Sequence, residues 1–210
     1  MALYHVATVT PTKDEMITSW LPAQPWGPGP DVPLEVIGAF RFDDPAHEVG
    51  LETFLVAAGD AFYQVPFTYR GAPLEREGAV LVSTTEHTVL GTRWVYDGLT
   101  DPTYLTMLAA VTMTGQGEAL GMAEFDGRWY VAPAPVRISG GGWGQERVPL
   151  DGFEVVDGTA QAEVVVLCND AFEIQTWRRP AVGEAGSMRL TATWDGQPEP
   201  VVLAQVSELA

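Results

Sequence analysis

Between residues 34 and 69 the chain holds three apolar runs. Only the pentapeptide Asp43-Asp44-Pro45-Ala46-His47 and the pair Gly59-Asp60 separate them. A connection that short can join antiparallel strands, whereas parallel neighbours need a crossover of a dozen or more residues. The segment therefore reads as a meander with strands over 34–42, 50–57 and 63–69. In the last of these Tyr63, Val65, Phe67 and Tyr69 alternate onto one face against Gln64, Pro66 and Thr68. Pro66 cannot donate to a ladder, which predicts an edge position or a bulge there.

Further strands are predicted over 3–10, 79–85, 92–96 and 128–138. A hairpin follows over 161–179 about Cys168-Asn169-Asp170, and a last pair over 188–194 and 200–206. Two helices interrupt the β pattern. Thr12-Lys13-Asp14-Glu15 has the capping-box spacing, with Met16, Ile17, Trp20 and Leu21 on one face before Pro22. Asp101-Pro102 opens the second, buries Tyr104, Leu105, Leu108 and Val111, and stops at Gly115. Residues 23–33, with four prolines and two glycines, predict an irregular loop. The fold class is α+β, mainly antiparallel sheet with two short helices.

The formal net charge is −17, from 28 acidic and 11 basic residues. Such a surface repels nucleic acid and anionic membranes, so neither is an expected partner. Cys168 is the single cysteine, which excludes an internal disulfide. The N-terminus lacks a signal-peptide pattern, and no run reaches the ~18 apolar residues of a membrane span. A cytoplasmic protein is expected.

Several stretches resemble the N-terminal cap of actinobacterial maltokinases: residues 38–45, 48–53 and 64–74, then 86–98 with Asp101-Pro102. The resemblance covers roughly residues 2–115. It implies a cap-like subdomain over 1–125, followed over 126–210 by a degenerate β subdomain like a kinase N-lobe. The 161–179 hairpin looks like the N-lobe strand pair in which the family carries a lysine for the nucleotide phosphates. Here Gln175 stands at that position, and a neutral amide cannot offset phosphoryl charge. The only lysine, Lys13, is far away in sequence. Gly183-Glu184-Ala185-Gly186 and a β pattern replace the expected glutamate-bearing helix. None of His5, His47 and His87 has the context of a kinase catalytic loop. The resemblance therefore implies a stand-alone cap-like protein that is no enzyme and needs no cofactor.

Glu86, His87, Arg93, Trp94, Tyr96 and Asp97 form the densest polar–aromatic cluster. As a binding site, the aromatics would stack on sugar rings while Arg93 and Asp97 take hydroxyls. As ordinary structure, Glu86 would pair with Arg93 or His87 while Trp94 and Tyr96 pack the sheet. Asp43, Asp44, Glu48 and Glu52 have the residue types for acid–base hydrolysis, or for nothing beyond a turn and a solvated strand. Three scattered histidines and one cysteine give no metal-ligand spacing, so no metal is expected. Residues 140–144, glycine-rich about Trp143, read as a hinge and domain joint, since no Lys-Ser/Thr follows to make a phosphate loop. Trp26 and Trp143 are the tryptophans expected to be exposed in loops.

The expected role is a non-catalytic binding or regulatory protein connected with trehalose, maltose or α-glucan metabolism, acting through a protein partner. A glycan or small-ligand binding module is the first alternative. A small carboxylate-dependent hydrolase is the second.

Overall fold

The computed structural model describes all residues except 1, 5, 6, 133, 143–151 and 210, with backbone alone for 2–4. In chain order the elements begin with β1 (Ala2–Tyr4), β2 (Val9–Thr10) and α1 (Lys13–Trp20). The meander and its continuation are β3 (Leu34–Phe42), β4 (Gly50–Ala58), β5 (Ala61–Arg70), β6 (Leu81–His87) and β7 (Gly91–Asp97). After α2 (Pro102–Thr114) come β8 (Gly121–Phe125), β9 (Arg128–Val131), β10 (Val136–Gly140) and β11 (Glu154–Val155). The last strands are β12 (Val164–Cys168), β13 (Phe172–Val182), β14 (Arg189–Trp194) and β15 (Gln197–Glu208).

Among the described residues the strands form three sheets. One six-stranded sheet has the order β2-β6-β7-β5-β4-β3, the other β10-β14-β15-β13-β12-β11, and a small one runs β1-β8-β9. All pairings are antiparallel except β1 with β8. The α+β expectation therefore holds, and so does the meander: Gly59, at φ +63°, turns β4 into β5.

Two strand expectations change. The run 3–10 divides between β1 and β2, which lie in different sheets. The run 128–138 breaks into β9 and β10, because Pro135 and its proline-rich approach lack amide donors. Pro66 sits opposite Thr53 of β4, and the β5–β7 pairing begins only at Phe67. On that side Pro66 has no ladder to interrupt, which is the edge-like position its missing N–H requires.

Period-2 alternation gives the first sheet two different faces. Phe54, Val56, Val65, Phe67 and Val95 pack under Met16, Ile17, Trp20 and Leu21 of the α1 region. Phe40, Phe42, Leu51 and Leu55 point the other way, into a core shared with α2 and the second large sheet. Polar ties also cross this core. The Gln64 amide nitrogen lies 2.8 Å from Thr176 Oγ1 and 2.6 Å from the Trp177 carbonyl.

Trp26 is a correction. It is 8% exposed, stacks edge-on to Trp20 at 5.5 Å, and lies 4.6 Å from the Arg178 guanidinium. Loop position did not imply exposure, because the 23–33 segment folds back over the end of α1. Trp143 lies outside the described residues. The described part of the glycine-rich segment is tightly packed. A Cβ on Gly140 would stand 1.9 Å from the Val111 carbonyl oxygen, and one on Gly142 2.5 Å from Met113 backbone atoms. These glycines let β10 approach the end of α2, a packing role where the sequence suggested a hinge.

Candidate functional site

Helix α1 is only eight residues long and covers only part of its sheet face. Its start is fixed by the capping box: Thr12 Oγ1 accepts from the Glu15 amide, and Glu15 Oε2 accepts from the Thr12 amide at 2.7 Å. That places Lys13 at the first helical position, over the uncovered part of the face. There its ammonium meets Glu52 at 2.6 Å and lies 5.7 Å from the Phe54 ring.

Beyond this ion pair lies a pocket of about 420 Å³. Its walls come from α1, the β3–β4 turn, β4, β5 and the β6–β7 turn, with Arg41, Tyr69, His87 and Arg93 among the lining residues. Arg41 faces Glu52 across β3 and β4, and Arg93 faces Thr85 across β7 and β6. Val49 and Leu90 add apolar surface. The pocket sets Lys13, Arg41 and Arg93 against carboxylates, so both signs of charge line it.

All four carboxylates singled out above, Asp43, Asp44, Glu48 and Glu52, line this pocket. Their states differ. Asp44 is buried and accepts from the amides of Ala46, Glu48 and Val49 at 2.9–3.0 Å, which organises the turn. Glu52 is held by Lys13. Glu48 is exposed at the rim beside His47. Among the described residues no group of His, Cys, Asp and Glu has the arrangement to hold a metal.

The polar–aromatic cluster does not act as one unit. His87 and Arg93 reach the pocket. Arg93 Nη2 donates to the Leu90 carbonyl at 2.7 Å, and His87 Nδ1 accepts from the Val89 and Leu90 amides. An accepting Nδ1 leaves the ring proton on Nε2. Glu86 is exposed and accepts from Thr92 Oγ1. Trp94 and Tyr96 alternate away from Arg93 along β7, and the buried Tyr96 hydroxyl accepts from the Leu74 amide. Asp97 is fully buried, and both its oxygens accept from Arg178, at 2.8 and 2.5 Å.

Gln175 is exposed on β13 and donates to Glu173 at 2.9 Å. It shares the outer face with Glu173 and Trp177, opposite Ile174 and Thr176, as the alternation predicts. Three contributors escaped the sequence reading: Tyr69, Arg41 and Arg178. Continuing the β13 alternation past Thr176 would have placed Arg178 inside. Tyr69 and Arg41 become neighbours only through strand register, which no local pattern encodes.

The Tyr69 hydroxyl is buried beside the Glu52 carboxylate. Burial first, and then the charge of Glu52, push its pKa well above the usual 10.0, so it stays an O–H.

The whole of the meander, and the pocket wall from Arg41 to Arg93, fall within a stretch that matches a known family. Residues 20–101 match the family model of the maltokinase N-terminal cap domain. This part of the chain is similar to the maltokinase N-terminal cap domain. The match contains the residues 38–53, 64–74 and 86–98 that carried the resemblance, and it ends at Asp101, the N-cap of α2. Lys13 and the first turns of α1 precede the matched segment of the cap. No curated protein matches the chain. Among the described residues, no helix is long and apolar enough to cross a membrane.

Proposed function

We propose that this protein is a non-catalytic binding protein derived from the maltokinase cap, and that it takes a small polar ligand in the pocket beside α1. The pocket carries the reading. Its volume of about 420 Å³ lies within the usual range for small-molecule sites, and it combines guanidinium, imidazole, carboxylate and apolar surface. Relation to the cap supports a ligand or partner from trehalose, maltose or α-glucan metabolism. The exposed neutral amide of Gln175 argues against phosphoryl transfer, because nothing at that position offsets phosphate charge. The same reading takes residues 1–125 as the cap unit and 126–210 as a sheet derived from a kinase N-lobe, in a cytoplasmic protein.

Calorimetric titration with maltose, trehalose and longer glucans tests the proposal, with ATP–magnesium and maltose incubated together as the activity control. Saturable binding that Arg93→Gln weakens, with no phosphorylated product, is the expected result. Turnover of ATP would overturn the non-catalytic part. Absence of heat with every glucan would remove the glucan assignment.

A protein partner is the second reading, favoured by the β8–β9 hairpin. Phe125, Trp129, Tyr130 and Val131 there are each at least half exposed, an unusual concentration for a free surface. A pull-down with the full chain, repeated with Trp129→Ser, separates that reading from ligand binding. Hydrolysis has the weakest support, since Asp44 and Glu52 are occupied by amides and by Lys13.

A further inference from the structure

We infer that the β8–β9 hairpin docks a second copy of this chain, β9 pairing antiparallel with β9 of the other copy across a two-fold axis. This rests on the second reading above, that the hairpin is an interaction surface, and adds the identity of the occupant.

The small sheet is unfinished in two respects. Its strands are in extensive contact with one another rather than with either large sheet or α2. A sheet this small depends on the packing of an apolar face, yet Phe125, Trp129, Tyr130 and Val131 are open. The order β1-β8-β9 also leaves β9 at an edge among the described residues. Native sheets blunt such an edge with lysine, proline, a bulge or a cover. Residues 128–131 contain no lysine or proline, pair with β8 in unbroken register, and are all exposed.

The ladder dictates how a copy fits. The Ala132 amide donates to the Gly121 carbonyl, so alternation also turns the N–H and C=O of Arg128 and Tyr130 toward β8. Trp129 and Val131 turn theirs to the open edge. In an antiparallel pair centred on Tyr130, Trp129 of each copy stands opposite Val131 of the other. These two pairs exchange four hydrogen bonds, which use every open N–H and C=O of Trp129 and Val131. Opposite side chains share a face, so Trp129 packs beside Val131 on one face and the two Tyr130 rings meet on the other. The strand is thus its own complement, as a two-fold interface requires.

Aromatic side chains carry roughly 150–250 Å² each, so the exposed parts of Phe125, Trp129 and Tyr130, with Leu120 and Val131, offer roughly 1,000 Å² over two copies. That is about where specific interfaces begin. Two copies at −17 each repel, which gives the contact a signature. The screening length falls from about 30 Å at about 0.01 M salt to about 3 Å at about 1 M. Self-association therefore strengthens with salt, whereas docking of a cationic partner weakens.

Sedimentation velocity of the full chain, loaded between about 1 μM and about 1 mM, is the test. A concentration-dependent species of twice the chain mass, more populated as sodium chloride is added, is expected. Val131→Pro removes an open N–H and leaves the β8 ladder whole, and Trp129→Lys sets a charge on the edge. Each is expected to weaken association about tenfold or more; if Val131→Pro does not fold, Trp129→Lys decides. Register is read in a Cys168→Ser background, because opposite residues of a non-hydrogen-bonded pair lie about 4.5 Å apart, within disulfide reach. Tyr130→Cys is expected to cross-link two copies on oxidation, and Arg128→Cys is not. Cross-linking of Arg128→Cys in place of Tyr130→Cys would overturn the pairing. A single chain mass at every concentration and salt would overturn the inference. A pull-down that Trp129→Ser abolishes would in that case leave the hairpin an interaction surface for another protein, and an empty pull-down would remove that reading too. A dimer indifferent to both edge variants would also overturn the inference, since the copies would meet elsewhere.

Discussion

Arg178 is the residue on which the joint between the two large sheets turns. It is fully buried, forks onto Asp97, and lies over the Trp26 ring, so one side chain ties β13 to β7 and to the 23–33 loop. Replacing a buried pair by apolar groups is often neutral, but removing one partner strands the other charge. Arg178→Met alone is therefore expected to cost about 3–5 kcal/mol, and Arg178→Met with Asp97→Leu distinctly less. Urea midpoints of the two variants decide it; a single variant as stable as wild type would refute the latch. Gln175, on the same strand but its outer face, is expected to accept lysine within ~0.5 kcal/mol, because its side chain is exposed and hydrogen-bonded to Glu173 at the surface. Gln175→Lys is also expected to leave the protein without phosphotransfer activity. A loss of several kcal/mol would mean that the amide is doing structural work at that position.

At the scale of elements, α1 connects packing to the pocket. Its apolar side is sealed against the sheet while its first turn places Lys13 over Glu52. Thr12→Ala removes the capping oxygen and is expected to destabilise the helix by ~1 kcal/mol, read as a lowered thermal midpoint. Because the loosened turn carries Lys13, the same variant is expected to weaken ligand binding. An unchanged thermal midpoint would show that the helix start is held by packing alone. The cap was readable in advance, since the Thr12–Glu15 spacing is local. Strand β7 shows the opposite case. Arg93 and Trp94 are adjacent in sequence and diverge in space, because neighbours on a strand face opposite ways. A dense run of functional residue types on a strand is thus two half-sites, and only the parity that includes Arg93 reaches the pocket.

For the whole molecule, two buried phenols give a pH dependence. Burial is the main cause that raises the pKa of Tyr69 and of Tyr104, helped at Tyr69 by Glu52 and opposed at Tyr104 by its hydrogen bond to Thr53. Above about pH 10 the unfolded chain releases these protons and the folded one keeps them. The unfolded state then binds fewer protons, so stability falls as pH rises. Below that pH the contribution is intact. Urea midpoints between about pH 8 and about pH 11 are expected to drop for the wild type. The drop should be shallower for Tyr104→Phe and for Tyr69→Phe. Parallel curves for all three would assign the alkaline loss to other groups.

The antiparallel meander, both helix starts and the 161–179 hairpin were legible in the chain because each depends on residues within a few positions of one another. Gly59-Asp60, Thr12 with Glu15, and Asp101-Pro102 act through local dihedrals and caps, and period-2 alternation sorted Gln175 to the outside. The pocket was legible only in fragments: the carboxylates of 43–52 in one place, His87 and Arg93 in another. Register decided that they meet, by setting Arg41 against Glu52 and Arg93 against Thr85. The burial of Trp26 and the pairing of Arg178 with Asp97 were likewise settled by contacts between residues 81 positions apart in the chain or more. Such contacts form only when two sheet faces exclude water between them, and no local pattern records which side chains will face each other there.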